Sequence, residues 1–308
     1  MYDTIVIGAG PSGMTAALYA ARSNLKVALI ERGIYGGQMQ NTADIENYPG
    51  YATISGPDLS DKMFEPLDDF GVEHVFGDVI ELVLTEPIKI VRTTDETYQA
   101  KTVILAMGCQ HRLLGIPGEE MYNSRGVSYC AVCDGAFFKD KDLFVVGGGD
   151  SAVEEAVYLT QYAKSVTIVH RRDSFRAQKI LQERALSHPK ISVSWNTIIT
   201  AIKGDDRQVT HVILEDVVTQ DRIERKADGI FIYVGLIPNT ELLKTSSILD
   251  DGGWIITDNE MQTALPGVYA VGDIRQKHLR QITTAVGDGA VAGKGAYDYV
   301  ISHQEEQI

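Results

Sequence analysis

The chain begins with a hydrophobic pattern that changes its period twice. The segment "TIVI" is a β-branched, mostly apolar run typical of a buried strand, and the alanine-rich segment "MTAALYAAR" has the periodicity of a helix. A second apolar run, "KVALIE", follows and ends on Glu31. This order predicts a strand, a helix and a second strand parallel to the first, the βαβ unit of doubly wound α/β folds.

The loop that joins the first strand to the helix reads G-x-G-x-x-G. Gly8 permits a tight turn, Gly10 lets the backbone approach a pyrophosphate, and Gly13 lets the helix pack closely on the strand. Glu31 stands at the end of the second strand, where an acid accepts hydrogen bonds from a ribose 2′-hydroxyl. Together these features predict a site for an ADP moiety without a 2′-phosphate, as in FAD.

The same theme returns in "DLFVVGGGDSAVEEAVYLTQYAKSVTIVHRR". Gly147 and Gly149 follow a strand, Ala152 takes the third place of the motif, and a helix and a second strand come after it. Where the first unit has an acid, this unit has basic residues. A guanidinium group binds a 2′-phosphate that a carboxylate would repel, so this unit is predicted to bind NADPH rather than NADH. The basic residues are His170, Arg171, Arg172 and Arg176.

The C-terminal part of the chain returns to the first domain. The segment "TALPGVYAVGDIR" predicts an apolar strand at residues 268–271 that ends in Gly272 and Asp273. An acid at this end of a strand lies where open α/β sheets place their ligands. Residues 281–300 are rich in alanine and glycine and predict a helix whose N-terminus could face the flavin ring.

The fold class is therefore predicted to be α/β, with two Rossmann-like dinucleotide-binding domains. Two proline-bearing stretches, "LLGIPGEE" and "VGLIPNTELL", flank the second unit and are predicted to form a hinge. The NADPH domain is thus inserted into the FAD domain. The predicted boundaries are 1–114 for the first part of the FAD domain, 115–238 for the NADPH domain and 239–308 for the second part of the FAD domain.

Length and charge narrow the functional classes. A chain of 308 residues exceeds one ordinary core and favours two domains. A formal net charge of −14 argues against nucleic acid or an anionic membrane as a partner, because both attract positive surfaces. No apolar run is long enough to span a bilayer, and the sequence starts directly on the first strand, with no signal peptide expected. These features predict a cytoplasmic protein.

Cys130 and Cys133 form a C-x-x-C pair in "SYCAVCDGAFF". A structural zinc site needs four ligands, but only Cys109 remains and the seven histidines show no partner spacing, so no metal is predicted. A structural disulfide would close a very small loop and is unexpected in a reducing cytosol. A C-x-x-C pair at the start of a helix has a depressed thiol pKa, so redox chemistry fits best. Cys109 is predicted to be a small buried residue.

The motifs "CAVCDG", "GGGDSA", "HRRDSFRA", "YAVGDIR" and "RQITTA" together resemble the low-molecular-weight thioredoxin reductases of bacteria, and the resemblance covers essentially the whole chain. It implies a flavoprotein homodimer that carries FAD and reduces the disulfide of thioredoxin with NADPH. By this resemblance Cys133 is the thiol next to the flavin, and Cys130 attacks the thioredoxin disulfide. Asp134 resembles the acid that protonates the departing thiolate, and it can also cap the helix.

The resemblance further implies positions in the two cofactor sites. One departure is "LAMG", where Met107 replaces the family's usual threonine, which puts in question the hydrogen bond of the threonine hydroxyl. The FAD positions are Gly8, Gly10, Pro11, Ser12, Gly13, Glu31, Gly37, Gln38, Asn47, Gly108, Gly272, Asp273, Arg280, Gln281 and Ile282. The NADPH positions are Gly149, Asp150, Ser151, Ala152, His170, Arg171, Arg172 and Arg176.

Two predictions concern the surroundings of the dithiol. The nicotinamide should bind beyond the carboxyl end of the strand at residues 143–146, with the dithiol near that strand's other end. The NADPH domain should then turn on its two linkers to present each group to the flavin. The rings of Phe137 and Phe138 either contact the protein partner, with Arg125 nearby, or pack in the core.

Three functions compete. NADPH-dependent reduction of thioredoxin is favoured, and a reductase of a different thioredoxin-like protein is its nearest variant. An FAD-dependent dithiol oxidase of the same fold would pass electrons to oxygen and would not need the arginines. A non-enzymatic, nucleotide-sensing protein is disfavoured because the redox cysteines and both cofactor motifs are intact. The sequence thus predicts a thioredoxin-disulfide reductase.

Overall fold

The chain divides into two units. The first is formed by Met1–Gln110 and Ile237–Ile308, and the second by His111–Leu236. The second unit is continuous in sequence and interrupts the first. Its observed bounds lie a few residues before the boundaries at 115 and 239 that the sequence suggested. The computed structural model describes residues 1–42, 45–243 and 246–305.

The first unit begins with a strand, a helix and a second strand, as the hydrophobic pattern predicts. Pro11 opens the first helix, where its missing N–H would have no helical partner. Ser55 precedes the second helix, and its side chain accepts the N–H of Asp58. The elements of this part are β1 (Tyr2–Ile7), α1 (Pro11–Arg22), β2 (Val27–Glu31), α2 (Gly56–Asp69), β3 (Glu73–Phe76), β4 (Val79–Val83), β5 (Lys89–Thr93), β6 (Thr97–Leu105) and β7 (Cys109–His111).

The second unit repeats the alternation of strand and helix and adds an antiparallel layer. A two-residue strand leads into a one-turn helix, which Cys130 precedes and which contains Cys133. The elements are β8 (Val127–Ser128), α3 (Ala131–Asp134), β9 (Asp142–Val146), α4 (Asp150–Leu159), β10 (Ser165–Val169), α5 (Lys179–Leu186), β11 (Ile191–Ser194), β12 (Thr197–Gly204), β13 (Val209–Asp216), β14 (Arg222–Lys226) and β15 (Gly229–Ile232). The short strand β16 (Leu236–Pro238) begins on the last residue of this unit.

The chain then returns to the first unit with β17 (Val268–Ala270) and α6 (Ile282–Glu305). The sheet of this unit has the order β3-β2-β1-β6-β5-β4, and β17 lies beside β6. β1 and β17 both run parallel to β6, and Ile7 and Ala270 each lie opposite Leu105, so these strands end at the same level. The loops that follow β1, β2, β6 and β17 therefore leave the same edge of the sheet.

Helix α1 packs on α6 along small residues. A Cβ on Gly289 would lie 2.3 Å from the carbonyl oxygen of Ser12, and one on Gly293 would lie 2.6 Å from that of Ala16. A larger side chain at either position would push the two helices apart. The glycines of α6 thus fix the place of the first turn of α1 and of the loop before it.

The second unit has a five-stranded parallel sheet of order β11-β10-β9-β15-β8. Phe231 of β15 lies opposite both Val145 of β9 and Ser128 of β8. The loops that follow β8, β9 and β15 therefore leave this sheet at one edge. A separate antiparallel sheet of order β12-β13-β14 completes the unit.

Candidate functional site

The three glycines of the first loop have different surroundings. Gly8 has a φ of +101°, and a Cβ on it would lie 2.5 Å from the carbonyl oxygen of Ala106. A Cβ on Gly13 would lie 1.8 Å from the carbonyl oxygen of Gly8. A Cβ on Gly10 would meet no protein atom within 4 Å. Two glycines therefore let the loop pack, and the third leaves its backbone open to a ligand.

Glu31 joins the end of β2 to this loop. Its Oε2 accepts the N–H of Ala9 at 2.8 Å, and its Oε1 accepts the N–H of Gly33 at 3.0 Å. Each carboxylate oxygen has a further lone pair, so Glu31 can still accept a hydrogen bond from a ribose hydroxyl. The acid thus sits where the sequence places the ribose of an ADP moiety.

A cavity of about 130 Å³ lies beside Glu31. Tyr35 stacks on Phe64 with ring centroids 3.8 Å apart, and Phe64 in turn contacts His74 at 4.4 Å. A flat apolar ring such as adenine fits this lining. Sequence reasoning missed these rings because α2 and β3 bring two of them from outside the glycine motif. The lining also includes Ala9, Leu29, Gly33, Val75 and Phe76.

Asp273 has a buried oxygen without a partner. Within the described part of the chain, its Oδ1 accepts no hydrogen bond. Burial raises the pKa of this carboxyl group, and the charges of Lys277 and Arg280 oppose the rise. A buried acceptor that has no protein donor fits a hydroxyl or N–H group of a bound molecule. The open loop glycine, the cavity and this oxygen together fit FAD.

The turn that carries Asp273 is held by Asp288 of α6. Asp288 accepts the N–H of Gly272 at 3.0 Å and forms ion pairs with Arg275 at 3.1 Å and Lys277 at 2.8 Å. All three charged side chains are largely buried, so each depends on the others for its stability. Sequence reasoning missed Asp288, because a single acid within a helix carries no motif.

Other predicted FAD residues lie around the same edge of this sheet. A Cβ on Gly272 would lie 2.4 Å from the Oγ of Ser12, and one on Gly37 would lie 3.3 Å from the open glycine of the loop. Asn47 donates from its Nδ2 to the Oε1 of Gln281 at 3.1 Å, although the two are far apart in sequence. Pro11 and Ile282 open α1 and α6.

Three further FAD candidates shape the backbone here. Gln38 donates to the carbonyl oxygen of Cys109 at 3.3 Å, and Gly108 adopts a φ of +65° with no atom near its Cβ position. The Arg280 guanidinium lies over the ring of Trp254 at 3.9 Å and donates to backbone carbonyls of the turn after β17. Arg280 therefore holds the turn that presents the unpartnered carboxylate oxygen.

The second glycine loop repeats the geometry of the first. Gly147 has a φ of +151°, and a Cβ on it would lie 2.6 Å from the Cβ of Ala152 and 2.6 Å from the carbonyl oxygen of Tyr233. A Cβ on Gly149 would again meet no protein atom within 4 Å. Ser151 is exposed in the first turn of α4. This loop therefore also leaves one backbone position open, as NADPH requires.

Arg171, Arg172 and Arg176 are exposed. Among the described residues, none of their guanidinium groups forms an ion pair. The backbone N–H of Arg176 donates to the carbonyl oxygen of Gly148 at 2.7 Å, which ties the arginine segment to the glycine loop. Three unpaired cations beside an open loop fit a nucleotide that carries an additional phosphate.

Asp150 ties the same segment to the first turn of α4. Its Oδ1 accepts the N–H of Gln178 at 2.8 Å, and its Oδ2 accepts the Nε2 of Gln178 at 3.1 Å. These hydrogen bonds hold the pKa of Asp150 below its usual range. Both carboxylate oxygens of Asp150 are bound to Gln178, so Asp150 affects a bound nucleotide by holding the segment that carries the arginines.

His170 does not join the arginines. Its side chain is 6% exposed, its Nε2 lies 3.0 Å from the carbonyl oxygen of Ser174, and its ring packs on Phe175 and Trp195. Burial and the nearby arginine charges lower the pKa of His170, which keeps it neutral at pH 7. A Cβ on Gly148 would lie 2.2 Å from this ring. We therefore correct the expected phosphate contact: His170 supports the glycine loop from inside the core.

The cysteines of the C-x-x-C pair are joined as a disulfide at the start of α3. The N–H of Cys133 donates to the Sγ of Cys130 at 3.1 Å. The N–H of Ala131 donates to the hydroxyl of Tyr233 at 2.6 Å, and the N–H of Cys130 to the hydroxyl of Ser128 at 3.1 Å. The Cys130 sulfur thus receives an N–H of the helix start, which stabilises a thiolate there.

Asp134 follows the pair and is bound to the strand before it. The hydroxyl of Ser128 donates to the Oδ2 of Asp134 at 2.5 Å. Burial raises the pKa of Asp134, and the Ser128 hydrogen bond opposes the rise. A carboxyl group with a raised pKa keeps a proton to higher pH, which suits a proton donor.

The dithiol lies at the carboxyl edge of the sheet, and the expectation that it lies near the other end of β9 is wrong. β8 runs parallel to β15 and β9, so Ser128 is level with Val145 and the cysteines come beyond that level. The glycine loop after β9 leaves the same edge. The axes of β8 and β9 are separated by β15, a distance of about 10 Å. The expected turn of the domain thus loses this support and stays a prediction.

The two phenylalanines after the motif have different environments. Phe138 packs edge-on against Phe231 with centroids 5.2 Å apart, and it covers Gly229, where a Cβ would lie 2.4 Å from its ring. Phe137 is 49% exposed. The core interpretation therefore applies to Phe138, and Phe137 is the ring available to a partner. Arg125, also exposed, donates to the carbonyl oxygen of Met121.

Cys109 is a buried free thiol, as its residue type predicted. Burial raises its pKa to about 12, which leaves the thiol protonated and unreactive. Within residues 1–42, 45–243 and 246–305, no group of three or more His, Cys, Asp or Glu side chains is arranged to hold a metal ion. Of the helices in these ranges, none has the length and apolar content needed to cross a membrane.

Residues 2–289 match the family model described as pyridine nucleotide-disulphide oxidoreductase. The chain belongs to this family. A thioredoxin reductase of Listeria monocytogenes is 55% identical over 97% of this chain and 94% of its own length. The thioredoxin reductase of Bacillus subtilis strain 168 is 51% identical over 99% of this chain and 96% of its own.

Solved structures agree with this assignment. Thioredoxin reductase from Streptococcus pyogenes is 60% identical and superposes with a TM-score of 0.93 over 98% of this chain and 99% of that chain. The Lactococcus lactis thioredoxin reductase in its FR conformation is 55% identical with a TM-score of 0.69 over 98% and 100%. The α/β fold class and the resemblance to bacterial thioredoxin reductases are thereby confirmed, and the cofactors are FAD and NADPH.

Proposed function

We propose that this protein is an NADPH-dependent flavoprotein that reduces the disulfide of thioredoxin through Cys130 and Cys133. One observation carries the proposal: a disulfide at the start of α3, beside a half-buried acid, shares a sheet edge with a dinucleotide-type glycine loop. The relatives named thioredoxin reductase support it over nearly the whole chain. The activity is that of a thioredoxin-disulfide reductase.

The cofactor sites follow from the open positions of the two units. FAD would be held by the backbone at Gly10, by Glu31 and by the buried oxygen of Asp273. NADPH would be held by the backbone at Gly149, with the exposed arginine segment on its 2′-phosphate. When bound, NADPH supplies a hydride and FAD relays its two electrons.

The reduced dithiol acts by two exchange steps. The thiolate of Cys130 attacks the thioredoxin disulfide, so a mixed disulfide forms while the thioredoxin S–S bond breaks. Asp134 gives its proton to the departing thiolate. Cys133 then attacks the sulfur of Cys130, which restores the disulfide of this chain and releases the second thioredoxin thiol. The hydrogen bond from the Cys133 N–H stabilises Cys130 as a thiolate.

The domain and partner assignments are part of the same proposal. Residues 1–114 and 239–308 form the FAD domain, and residues 115–238 form the NADPH domain. Thioredoxin would contact the exposed ring of Phe137 and the exposed Arg125. The enzyme would act in the cytoplasm as a homodimer, which sedimentation of the purified holoenzyme can test.

Serine variants of the two cysteines test the proposal. Both Cys130→Ser and Cys133→Ser should lose thioredoxin reduction by at least about 10³-fold, because each sulfur is needed for one exchange step. Both should keep flavin reduction by NADPH, measured by bleaching of the flavin absorbance. A long-wavelength flavin absorbance should appear in the Cys130 variant only, since Cys133 is the thiol assigned to the flavin.

The same variants separate the alternatives. Wild-type enzyme that consumes oxygen with a small dithiol, and fails to oxidise NADPH with thioredoxin, would be a dithiol oxidase. Long-wavelength absorbance in the Cys133 variant instead would reverse the two sulfur roles. Retention of thioredoxin reduction in either variant would refute the proposed function.

A further inference from the structure

Two neighbouring strands each extend a hydroxyl group to the start of the redox helix. Ser128 ends β8 and accepts the N–H of Cys130, while Tyr233 follows β15 and accepts the N–H of Ala131. Both strands belong to the parallel sheet of the second unit. The redox helix is thus fixed to the sheet by hydrogen bonds from its backbone N–H groups to these two hydroxyls. Ser128 also donates a hydrogen bond to the carboxyl group of Asp134, the proposed acid.

The Ser128 hydroxyl donates its single hydrogen to Asp134. The oxygen lies 2.5 Å from the Oδ2 of Asp134 and 3.3 Å from the carbonyl oxygen of Cys130. A hydroxyl donates one hydrogen, and the shorter contact to a carboxylate is the stronger hydrogen bond. The arrangement is therefore a chain of two hydrogen bonds, in which the Cys130 N–H donates to Ser128 and Ser128 donates to Asp134.

Burial of Ser128 strengthens the influence of its hydrogen bond on Asp134. Ser128 is 3% exposed, so water does not replace its hydrogen bond when the side chain changes. Asp134 is itself half-buried, and this burial raises its pKa by disfavouring the ionised form. Among the described residues the Ser128 hydroxyl is the side-chain donor to this carboxylate, and it stabilises the ionised form that remains once Asp134 has given its proton away.

Other titratable groups face Asp134 from the elements around it. Tyr233 at the end of β15 interacts with the charge of Asp134 and with that of Glu155 in α4. Burial raises the pKa of Tyr233 well above its usual range, and Tyr158 of α4, close to the residue after Asp134, has a pKa raised to about 12. Both stay neutral near pH 7. Burial raises the pKa of Glu155 to about 7, so its titration must be separated from that of Asp134.

We propose that Ser128 is a positioning residue for the proposed acid Asp134: its hydroxyl orients the carboxyl group and stabilises the carboxylate formed when the proton moves to the departing thiolate. The inference rests on the proposed function of the Cys130–Cys133 pair. In the step concerned, the Cys130–substrate S–S bond forms, the substrate S–S bond breaks, and the leaving sulfur takes the proton of Asp134. The Ser128 proton stays on its oxygen and continues to be donated to Asp134, which is now a carboxylate.

The test is the pH dependence of one step in the holoenzyme. The enzyme is reduced with NADPH and mixed with a small disulfide reagent, and the rate of dithiol oxidation is followed by stopped flow over a series of pH values. Because Asp134 acts as a proton donor, the rate falls as pH rises through its pKa. Ser128→Ala removes the donor to the carboxylate and so raises the pKa of Asp134. The falling limb of the pH–rate profile, the range in which the rate decreases, should therefore move about one unit to higher pH.

Matched variants make the result specific. Ser165→Ala removes another serine that donates to an aspartate in the same unit, at 2.7 Å to Asp142, and should leave the limb in place. Ser128→Thr keeps a hydroxyl and should restore the wild-type limb. Glu155→Gln identifies any part of the profile that belongs to that acid.

Two outcomes of the pH series would overturn the hypothesis, and an infrared measurement gives a second test. A Ser128→Ala profile that superposes on wild type, while Asp134→Asn loses the limb, would refute the positioning role. Retention of the limb in Asp134→Asn would show instead that the proposed acid is another group. Infrared difference spectra of the oxidised holoenzyme give a readout that does not depend on activity: the protonated carboxyl band that Asp134→Asn removes should persist to higher pH in Ser128→Ala.

Discussion

The two glycine loops of this chain share a backbone and differ in what surrounds it. Gly8 and Gly147 each have a positive φ and pack against a neighbouring backbone carbonyl. Gly10 and Gly149 each open onto space with no protein atom within 4 Å of a Cβ position. The same fold therefore builds two equivalent places for a pyrophosphate, and nothing in the loop itself distinguishes the two cofactors.

The distinction lies at the end of the second strand of each unit. In the first unit the carboxylate of Glu31 accepts hydrogen bonds from the N–H groups of Ala9 and Gly33, so an acid holds the glycine loop in place. In the second unit the N–H of Arg176 donates to the carbonyl oxygen of Gly148 and Asp150 accepts the N–H of Gln178, while the guanidinium groups of Arg171 and Arg176 are exposed. Cofactor choice is thus separable from cofactor binding, and variants can address each alone.

Alanine at the open glycines should have the largest effect. Gly10 has φ −73° and Gly149 has φ −92°, backbone conformations that alanine adopts without strain. Each new methyl group would meet no protein atom but would occupy the place of a bound pyrophosphate. We expect Gly10→Ala to weaken FAD binding, and Gly149→Ala to weaken NADPH binding only, by about 10- to 100-fold. FAD retention on gel filtration and NADPH titration of the flavin absorbance measure the two.

Gly13 supplies the control for this pair. A Cβ there would lie 1.8 Å from the carbonyl oxygen of Gly8, so Gly13→Ala should lower the melting temperature of the protein even without cofactor. Gly10→Ala should not. Equal loss of stability in both variants would mean that Gly10 serves packing and that its open surroundings have no functional meaning.

Removal of two arginines should have the next largest effect. Arg171→Ala combined with Arg176→Ala removes two charge-assisted contacts to a 2′-phosphate, each equivalent to about tenfold in affinity. The preference for NADPH over NADH should therefore fall by about 100-fold, measured as the ratio of kcat/KM for the two nucleotides. The exposed pair Arg207 and Arg225, changed together to alanine, keeps the net charge equal and should preserve the ratio. An unchanged ratio in the first double variant would contradict the assignment.

The parts of the fold that the sequence could predict are those in which local pattern and packing agree. The glycines of both loops were interpretable because close approach and positive φ exclude other residues, as the contacts of Gly8 and Gly13 show. The long strands and α6 were interpretable from their period. The exposed arginines after β10 followed from their register, which counts positions from Gly147.

The parts that could not be predicted depend on contacts between distant segments. β8 has two residues, too few to show a period, so the edge from which the dithiol emerges was placed at the wrong end. His170 has the register of a ligand but is buried by Trp195, which β11 brings beside it. Ser128 and Asp288 are single polar residues without a motif, and only the assembled sheet and helix show what they hold.

Asp150 gives the smallest and most indirect test of how the two loops differ. Asp150→Ala would remove both hydrogen bonds to Gln178 and release the segment that carries Arg176, without touching any guanidinium group. It also removes a negative charge near the proposed phosphate site, which by itself would strengthen NADPH binding. A rise of about threefold in the KM for NADPH, against that electrostatic trend, would show that position outweighs charge.

Asp173→Ala isolates the electrostatic part of this effect. Asp173 is an exposed acid in the same segment, and among the described residues its carboxylate accepts a hydrogen bond from the neighbouring Ser174 and none from the glycine loop. Its removal should lower the KM for NADPH slightly or leave it unchanged. The hydrogen bonds from Gln178 hold the pKa of Asp150 below its usual range, so the carboxylate stays ionised and holds Gln178 at every pH at which the enzyme can be assayed. The difference in NADPH KM between wild type and Asp150→Ala should therefore be constant from about pH 6 to pH 8, and a difference that disappears within that range would assign the effect to a group other than this carboxylate.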